Sequence, residues 1–374
     1  MWPAFDDGDA TASGAFSRCA DHHLLCAAAR RLRCAAKSGT AIDSIAPGHL
    51  RRYTTAGLPA VARQCHGPAA PVDRRHGAAT SPGRYREGYL SAWCACHCTR
   101  LQATYSRGVN VTLIDTHTHL DFADFDADRA QVLDSCLSLG VQRIVVLGVY
   151  QRNWQRLWEL TEANPALHAA FGLHPVYIDE HRAEHLNELA GWLTRLQGHP
   201  QLCAVGEIGL DYYVEHPDKP RQQELFEAQL QLASDFNLPA LLHVRRSHAD
   251  VIAALKRHKL KRSGIVHAFA GSREEAREYI KLGFKLGLGG AATWPQALRM
   301  HRVIAELPLD SVVLETDSPD MAPAMHPYIR NSPQHLPEIC RALADLMKIP
   351  SERLAQASTE NACELFGWPR TASA

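Results

Sequence analysis

The chain has 374 residues, of which 46% are apolar and 21% charged, the composition of an ordinary globular protein rather than of a disordered one. Forty basic residues balance forty acidic ones, so net charge gives no argument for a broad nucleic-acid-binding track. Eleven cysteines in no paired spacing, no apolar run of membrane-spanning length and an acidic start (Asp6, Asp7, Asp9) argue against a secreted disulfide framework, a membrane span and a secretory signal, and a reducing, cytoplasmic setting is expected.

In chain order, residues 1–110 come first, with fourteen basic residues against seven acidic and seven of the eleven cysteines. Apart from a helix-like stretch at 23–36, their short apolar clusters keep neither a helical nor a strand period. They predict an Arg- and Ala-rich extension that stays disordered and forms no core. Cys94, Cys96, His97 and Cys98 are separated by at most one residue and lack a distant second pair, which is poor spacing for zinc.

From Val111 the texture changes to apolar runs alternating with amphipathic stretches. The predicted strands are 112–116, 143–149, 168–172, 203–206, 240–244, 264–267, 285–288 and 311–315. Helices are predicted at 126–139, 154–164, 180–196, 221–236, 248–258, 273–282 and 295–306, with two more at 333–347 and 351–366. Eight such alternations within 111–370 predict an α/β fold, a (β/α)8 TIM-type barrel, whose chemistry gathers at the C-terminal ends of the strands. No G-x-G-x-x-G follows the first strand, and neither a P-loop nor a G-x-S-x-G elbow is present, which weighs against dinucleotide binding, P-loop phosphate binding and serine hydrolysis.

The polar residues at the predicted strand ends are mostly metal-ligand types. Strand one ends in Asp115-Thr116-His117-Thr118-His119, and residues two apart on an extended chain project to one side. Strand four runs into Glu207 and Asp211, strand five into His243 and Arg245, strand six into His267, and strand eight into Glu315-Thr316-Asp317. Any one histidine is more simply a core or surface residue. Four histidines and two carboxylates together at one rim would be costly to bury unless a divalent ion compensated them.

These residues also sit in motifs that resemble the TatD family of metal-dependent hydrolases and deoxyribonucleases, near its YjjV-like branch. The matching elements are IDTHTHLD at 114–121, GLHP at 172–175, VGEIGLDYY at 205–213, LPALLHVRRSH at 238–248, IVHAFAGS at 265–272, LETDSPDM at 314–321 and STENACELFGW at 358–368. Nothing before Val111 takes part.

The resemblance implies two divalent ions. His117, His119, Glu207 and Asp317 would surround one, with Glu207 bridging to a second held by His243 and His267. Asp317 is then the expected proton acceptor, acting with Glu207 in catalysis. Mixed imidazole and carboxylate ligands suit Zn, Mn or Co, and Mg is the ion of other family nucleases. The implied substrate is DNA or a small phosphodiester, hydrolysed at an end by an activated water. His174 and Arg245 are the expected substrate-binding residues. Arg246 and Arg330 are equally well read as solvated charges, and Asp211 is expected to orient a ligating histidine. The rival readings are an amide or lactone hydrolase of the wider amidohydrolase type, which often bridges its ions with a modified lysine instead of a glutamate, and a non-catalytic scaffold.

Overall fold

The structure, a computed structural model, describes residues 112–369; the extension predicted at 1–110 lies outside the described residues. Eight parallel strands follow one another in sheet order. They are β1 (Leu113–Thr118), β2 (Val141–Leu147), β3 (Leu167–Phe171), β4 (Leu202–Asp211), β5 (Ala240–Arg245), β6 (Gly264–Val266), β7 (Lys285–Leu288) and β8 (Val312–Leu314). Between them run α1 (Arg129–Ser138), α2 (Trp154–Glu162), α3 (Ala183–Leu196), α4 (Lys219–Asp235), α5 (His248–His258), α6 (Arg273–Lys281) and α7 (Leu298–Ile304), and α8 (Leu336–Met347) and α9 (Ser351–Phe366) complete the order. The predicted (β/α)8 barrel is therefore the observed fold.

Every residue of β1, β3 and β4 is buried, as expected of strands covered by helices outside and filled by side chains inside. The inner filling includes Ile114, Val145, Ala170, Ala204, Leu241, Ile265 and Val313, packed with Leu365 and Phe366 of α9. Helix α9 crosses the N-terminal end of the barrel. Its Asn361 side chain donates to the carbonyls of Leu309 and Val312 where the chain enters β8, and its Thr359 hydroxyl donates to that of Thr112 ahead of β1. Asn361 is thus a packing residue.

Closure between β8 and β1 is different from the other seven pairings. Instead of a ladder there is one bridge, Thr118 with Ser318, supported by backbone bonds from Asp317 to His117 (2.9 Å) and from His119 to Ser318 (2.8 Å). Side chains complete the joint. The buried Asp115 accepts from the Thr316 amide (3.0 Å) and hydroxyl (2.6 Å), and the Thr116 hydroxyl donates to the Leu314 carbonyl (3.0 Å).

The main departures from the predicted elements lie at glycines and prolines. Strand β4 runs to Asp211, five residues past its predicted end at Gly206. Glycines 206 and 209 read as breakers in sequence, whereas in the barrel they permit close approach: a Cβ on Gly209, whose φ is +146°, would lie 2.0 Å from the His243 carbonyl oxygen. Helix α7 begins at Leu298 rather than 295, and the predicted start of α8 is a separate 3-10 turn, Pro333–His335. Helix α3 likewise begins only after the 3-10 turn Pro175–Glu180.

Candidate metal centre

The C-terminal rim gathers the other five predicted ligand residues around Glu207. Alternation along β1 sends His117 and His119 to one side, and both Nε2 atoms approach Glu207 Oε2, at 3.2 and 3.4 Å. Asp317 closes this side, with Oδ1 3.6 Å from His117 Nε2 and 3.5 Å from His119 Nε2. Its backbone is left-handed, φ 56°, a conformation Asp adopts more readily than most residues. The other oxygen, Glu207 Oε1, faces His267 Nε2 (2.9 Å) and His243 Nδ1 (3.1 Å). The two carboxylate oxygens thus divide the imidazoles into two sets. Glu207 reaches this central position from inside β4, four residues short of the strand's end.

The outer nitrogens of two of these rings determine what the inner ones offer. His119 Nδ1 lies 3.2 Å from the Leu147 carbonyl, an acceptor only, so the ring proton belongs there and Nε2 presents a lone pair to the carboxylates. His243 Nε2 lies 2.9 Å from Asp211 Oδ2, which leaves Nδ1 as a lone pair. With neutral rings each set points electron pairs at electron pairs, an arrangement that a cation between them, or added protons, would satisfy. Three groups, His117–His119–Asp317, His117–Glu207–His267 and His174–Glu207–His243, have ligand atoms within 4.8 Å of one another. The donor chemistry fits divalent ions with mixed nitrogen and oxygen shells.

The site's electrostatics carry the same preference. Burial is the largest influence on Glu207 and pushes its pKa up, yet the surrounding imidazoles of His174, His267 and His117 overcome it and hold the carboxyl well below its usual range. Burial also opposes ionisation of Asp317, and the hydrogen bond from His119 with the charges of His267 and His117 brings it down to about 2. His119 and His267 are depressed by burial but raised further by the facing carboxylates, ending well above the ordinary imidazole value. The pocket takes up positive charge, as protons when nothing else supplies it.

His174, predicted to bind substrate, also reaches the cluster, with Nε2 3.1 Å from Glu207 Oε1. Its Nδ1 accepts the Val176 amide at 3.1 Å, so Nε2 carries the proton and donates to Glu207. Burial, partly offset by Glu207, lowers its pKa to about 4, which keeps the ring neutral. Arg245, the other predicted substrate residue, is half-buried over the Tyr213 ring at 4.0 Å and joins none of the ligand groups. Arg330 makes a two-pronged bridge to Asp128 (2.8 and 2.7 Å) over Phe125, a partly buried ion pair rather than a solvated charge. Asp211 has the orienting position expected of it.

Two participants had no role in the sequence reading. Glu315 is buried with Oε1 accepting the Ala268 amide (2.5 Å) and lying 3.7 Å from His267 Nδ1. Phe122 stacks on His119 at 5.1 Å between ring centres. Their signals were present: Glu315 is the second residue of the LETDSPDM run and Phe122 follows IDTHTHLD.

Residues 114–367 match the family described as TatD related DNase. The chain belongs to the TatD family. The chain is 40% identical over 256 residues to the uncharacterized metal-dependent hydrolase YjjV of Escherichia coli K12, covering 68% of this chain and 98% of that protein. The crystal structure of that TatD homologue superimposes with a TM-score of 0.67 at 39% identity, over 70% of this chain and all of the other. A relative from Pantoea vagans described as 3'-5' ssDNA/RNA exonuclease TatD is 31% identical over 261 residues, 68% of this chain and 99% of its own length. This TatD-family chain is thus a metal-dependent hydrolase, and its described residues include no helix long and apolar enough to cross a membrane.

Proposed function

We propose that this TatD-family hydrolase uses two divalent ions to cleave phosphodiesters, acting on the ends of DNA strands. The observation that supports two ions rather than one is the division of the imidazoles between the two oxygens of Glu207. On this reading His117, His119, Glu207 and Asp317 hold one ion, and Glu207, His243 and His267 the other. Ions bound there supply Lewis acidity, making a water easier to deprotonate and offsetting charge that develops on the phosphoryl oxygens.

The chain's own residues do the rest. Asp317, ionised at neutral pH, accepts the proton of the attacking water on its carboxylate and passes it towards the leaving oxygen. Glu207 stays ionised and fixes the spacing of the two ligand sets. The Nε2 proton of His174 holds Glu207 in place and is available to a phosphoryl oxygen that approaches the same edge. Arg245 supplies a further charge for the substrate. Zn or Mn suits the mixed shell better than Mg, which favours oxygen ligands. The four described cysteines are free, in keeping with a cytoplasmic setting.

The description of the family as DNase and of the Pantoea relative as an exonuclease favours nucleic acid over amides or lactones. The test is turnover of oligonucleotides, a nucleotide phosphodiester and a lactone by protein reconstituted with Mn, Zn or Mg. Cleavage of the lactone alone would replace the proposal with the amidohydrolase reading. The hydrolase is assigned to 111–370, so protein lacking residues 1–110 should keep the wild-type rate.

A further inference from the structure

Strand β5 ends in His243-Val244-Arg245 and is followed at once by Arg246. Alternation puts Arg245 on the side of His243, two residues nearer the mouth. Arg246 would face the opposite way if the strand continued, but its φ of 55° breaks the extended backbone. Both guanidinium groups consequently lie over one ring, that of Tyr213, with their central carbons 4.0 and 4.3 Å from its centre.

The ring itself is anchored to the metal centre. The Tyr213 amide donates to Asp211 Oδ1 (2.8 Å), whose other oxygen holds His243, and the Tyr212 amide donates to the Arg245 carbonyl (2.9 Å). Neither guanidinium has a hydrogen bond or an ion pair among the described residues. Arg129, Arg156, Arg257 and Arg330 all have carboxylate partners. The acids nearby are already engaged: Asp211 as described, and Asp250 by the Tyr212 hydroxyl (2.9 Å) and Gln223 (3.2 Å). Lys219, 4.4 Å over the Tyr212 ring, adds another positive charge. The two guanidiniums repel each other, the charge of Asp211 offsets this at Arg245, and Arg245 has lost part of its hydration to burial. An anion bound between them relieves both costs, and two planar forks suit the oxygens of a phosphate.

Two residues of extended strand span about 6–7 Å, comparable with the step from one phosphate to the next along an extended nucleic-acid strand. We propose that Arg245, Arg246 and Tyr213 form a subsite for a second phosphate, one nucleotide from the bond being cleaved, so that the enzyme prefers substrates carrying that extra charge. The inference rests on the phosphodiester reading above and adds what the site selects.

The test uses the full chain loaded with Mn and three dinucleotides, unphosphorylated, 5'-phosphorylated and 3'-phosphorylated dithymidine. Wild-type enzyme should favour one phosphorylated form over the unphosphorylated one by about tenfold or more in kcat/KM, mainly through KM, the effect of a charged hydrogen bond. Arg246→Ala should reduce that preference to within about twofold, and Arg246→Lys, which keeps a point charge without the fork, should retain part of it. On a longer single strand the Ala variant should also lose roughly 0.7 from the log–log salt slope. Equal turnover of all three dinucleotides by wild type, or an undiminished preference in the Ala variant, overturns the subsite and leaves the phosphodiester reading standing. Turnover of none of them overturns both.

Discussion

Replacing Asp211 by Asn tests the electronic argument for the second ligand set without changing the shape of the side chain. Asp211 Oδ1 accepts the amides of Tyr213 (2.8 Å) and Val214 (3.3 Å), while Oδ2 faces His243 Nε2 at 2.9 Å. An Asn has one oxygen, and two backbone donors claim it, so its NH2 turns towards Nε2. The imidazole then accepts at Nε2 and carries its proton on Nδ1, the atom aimed at Glu207 Oε1 and His267. A protonated Nδ1 cannot be a ligand. Loss of such an orienting partner weakens metal affinity by about 10–100-fold, or about 1.4–2.7 kcal/mol. Calorimetric titration of metal-stripped protein with Mn should show one binding step weakened by that factor and the other unchanged, while the stripped protein loses some thermal stability with the buried His243–Asp211 contact. Wild-type affinity for both steps would refute the assignment of tautomer and ligand at His243.

Other consequences can be checked separately. Gly209→Ala, whose Cβ would meet the His243 carbonyl at 2.0 Å with φ at +146°, should cost on the order of 3 kcal/mol or more in urea unfolding through strain and separation of β4 from β5. Arg330→Ala removes a partly exposed bridge to Asp128 and should cost about 1 kcal/mol while leaving kcat/KM unchanged. His168, whose pKa burial and then the charge of Arg143 bring down to about 4, must gain a proton on unfolding below its ordinary value near 6.5. The folded state binds fewer protons than the unfolded, so the stability is complete above pH 6.5 and is lost towards pH 4, by up to about 1.4 kcal/mol per unit. His168→Gln should flatten the fall of the urea midpoint between pH 6.5 and 4.5, with other buried histidines accounting for the remaining slope.

The barrel was legible because strands covered on both faces are written as short continuous apolar runs, and the β7 bounds 285–288 agree at both ends. The ligand types were legible because His and carboxylates break those runs at one end. What pattern could not supply was direction. Glycines inside β4 looked like an ending, so Glu207 was placed at a strand tip when it lies well within the strand. Nor does sequence say which nitrogen of a histidine faces inward, since that depends on partners such as Leu147 and Asp211 that the fold brings from elsewhere. His174 looked like a substrate residue, and its bond to Glu207 depends on a turn, Pro175–Glu180, whose amide occupies its other nitrogen.

The joint between β8 and β1 has a bearing on when this enzyme can begin to work. Asp115 and Thr316 are 201 residues apart in the chain, and the imidazoles of β1 meet Asp317 only across that junction. A ribosome finishes β1 early, and its two histidines then wait without their carboxylate until nearly the whole cylinder has been made. Contacts of such long range form late and slowly. On the proposed ligand assignment, partial chains lack a complete centre, and hydrolytic competence arrives with the eighth strand, a timing set by where those residues lie along the polypeptide.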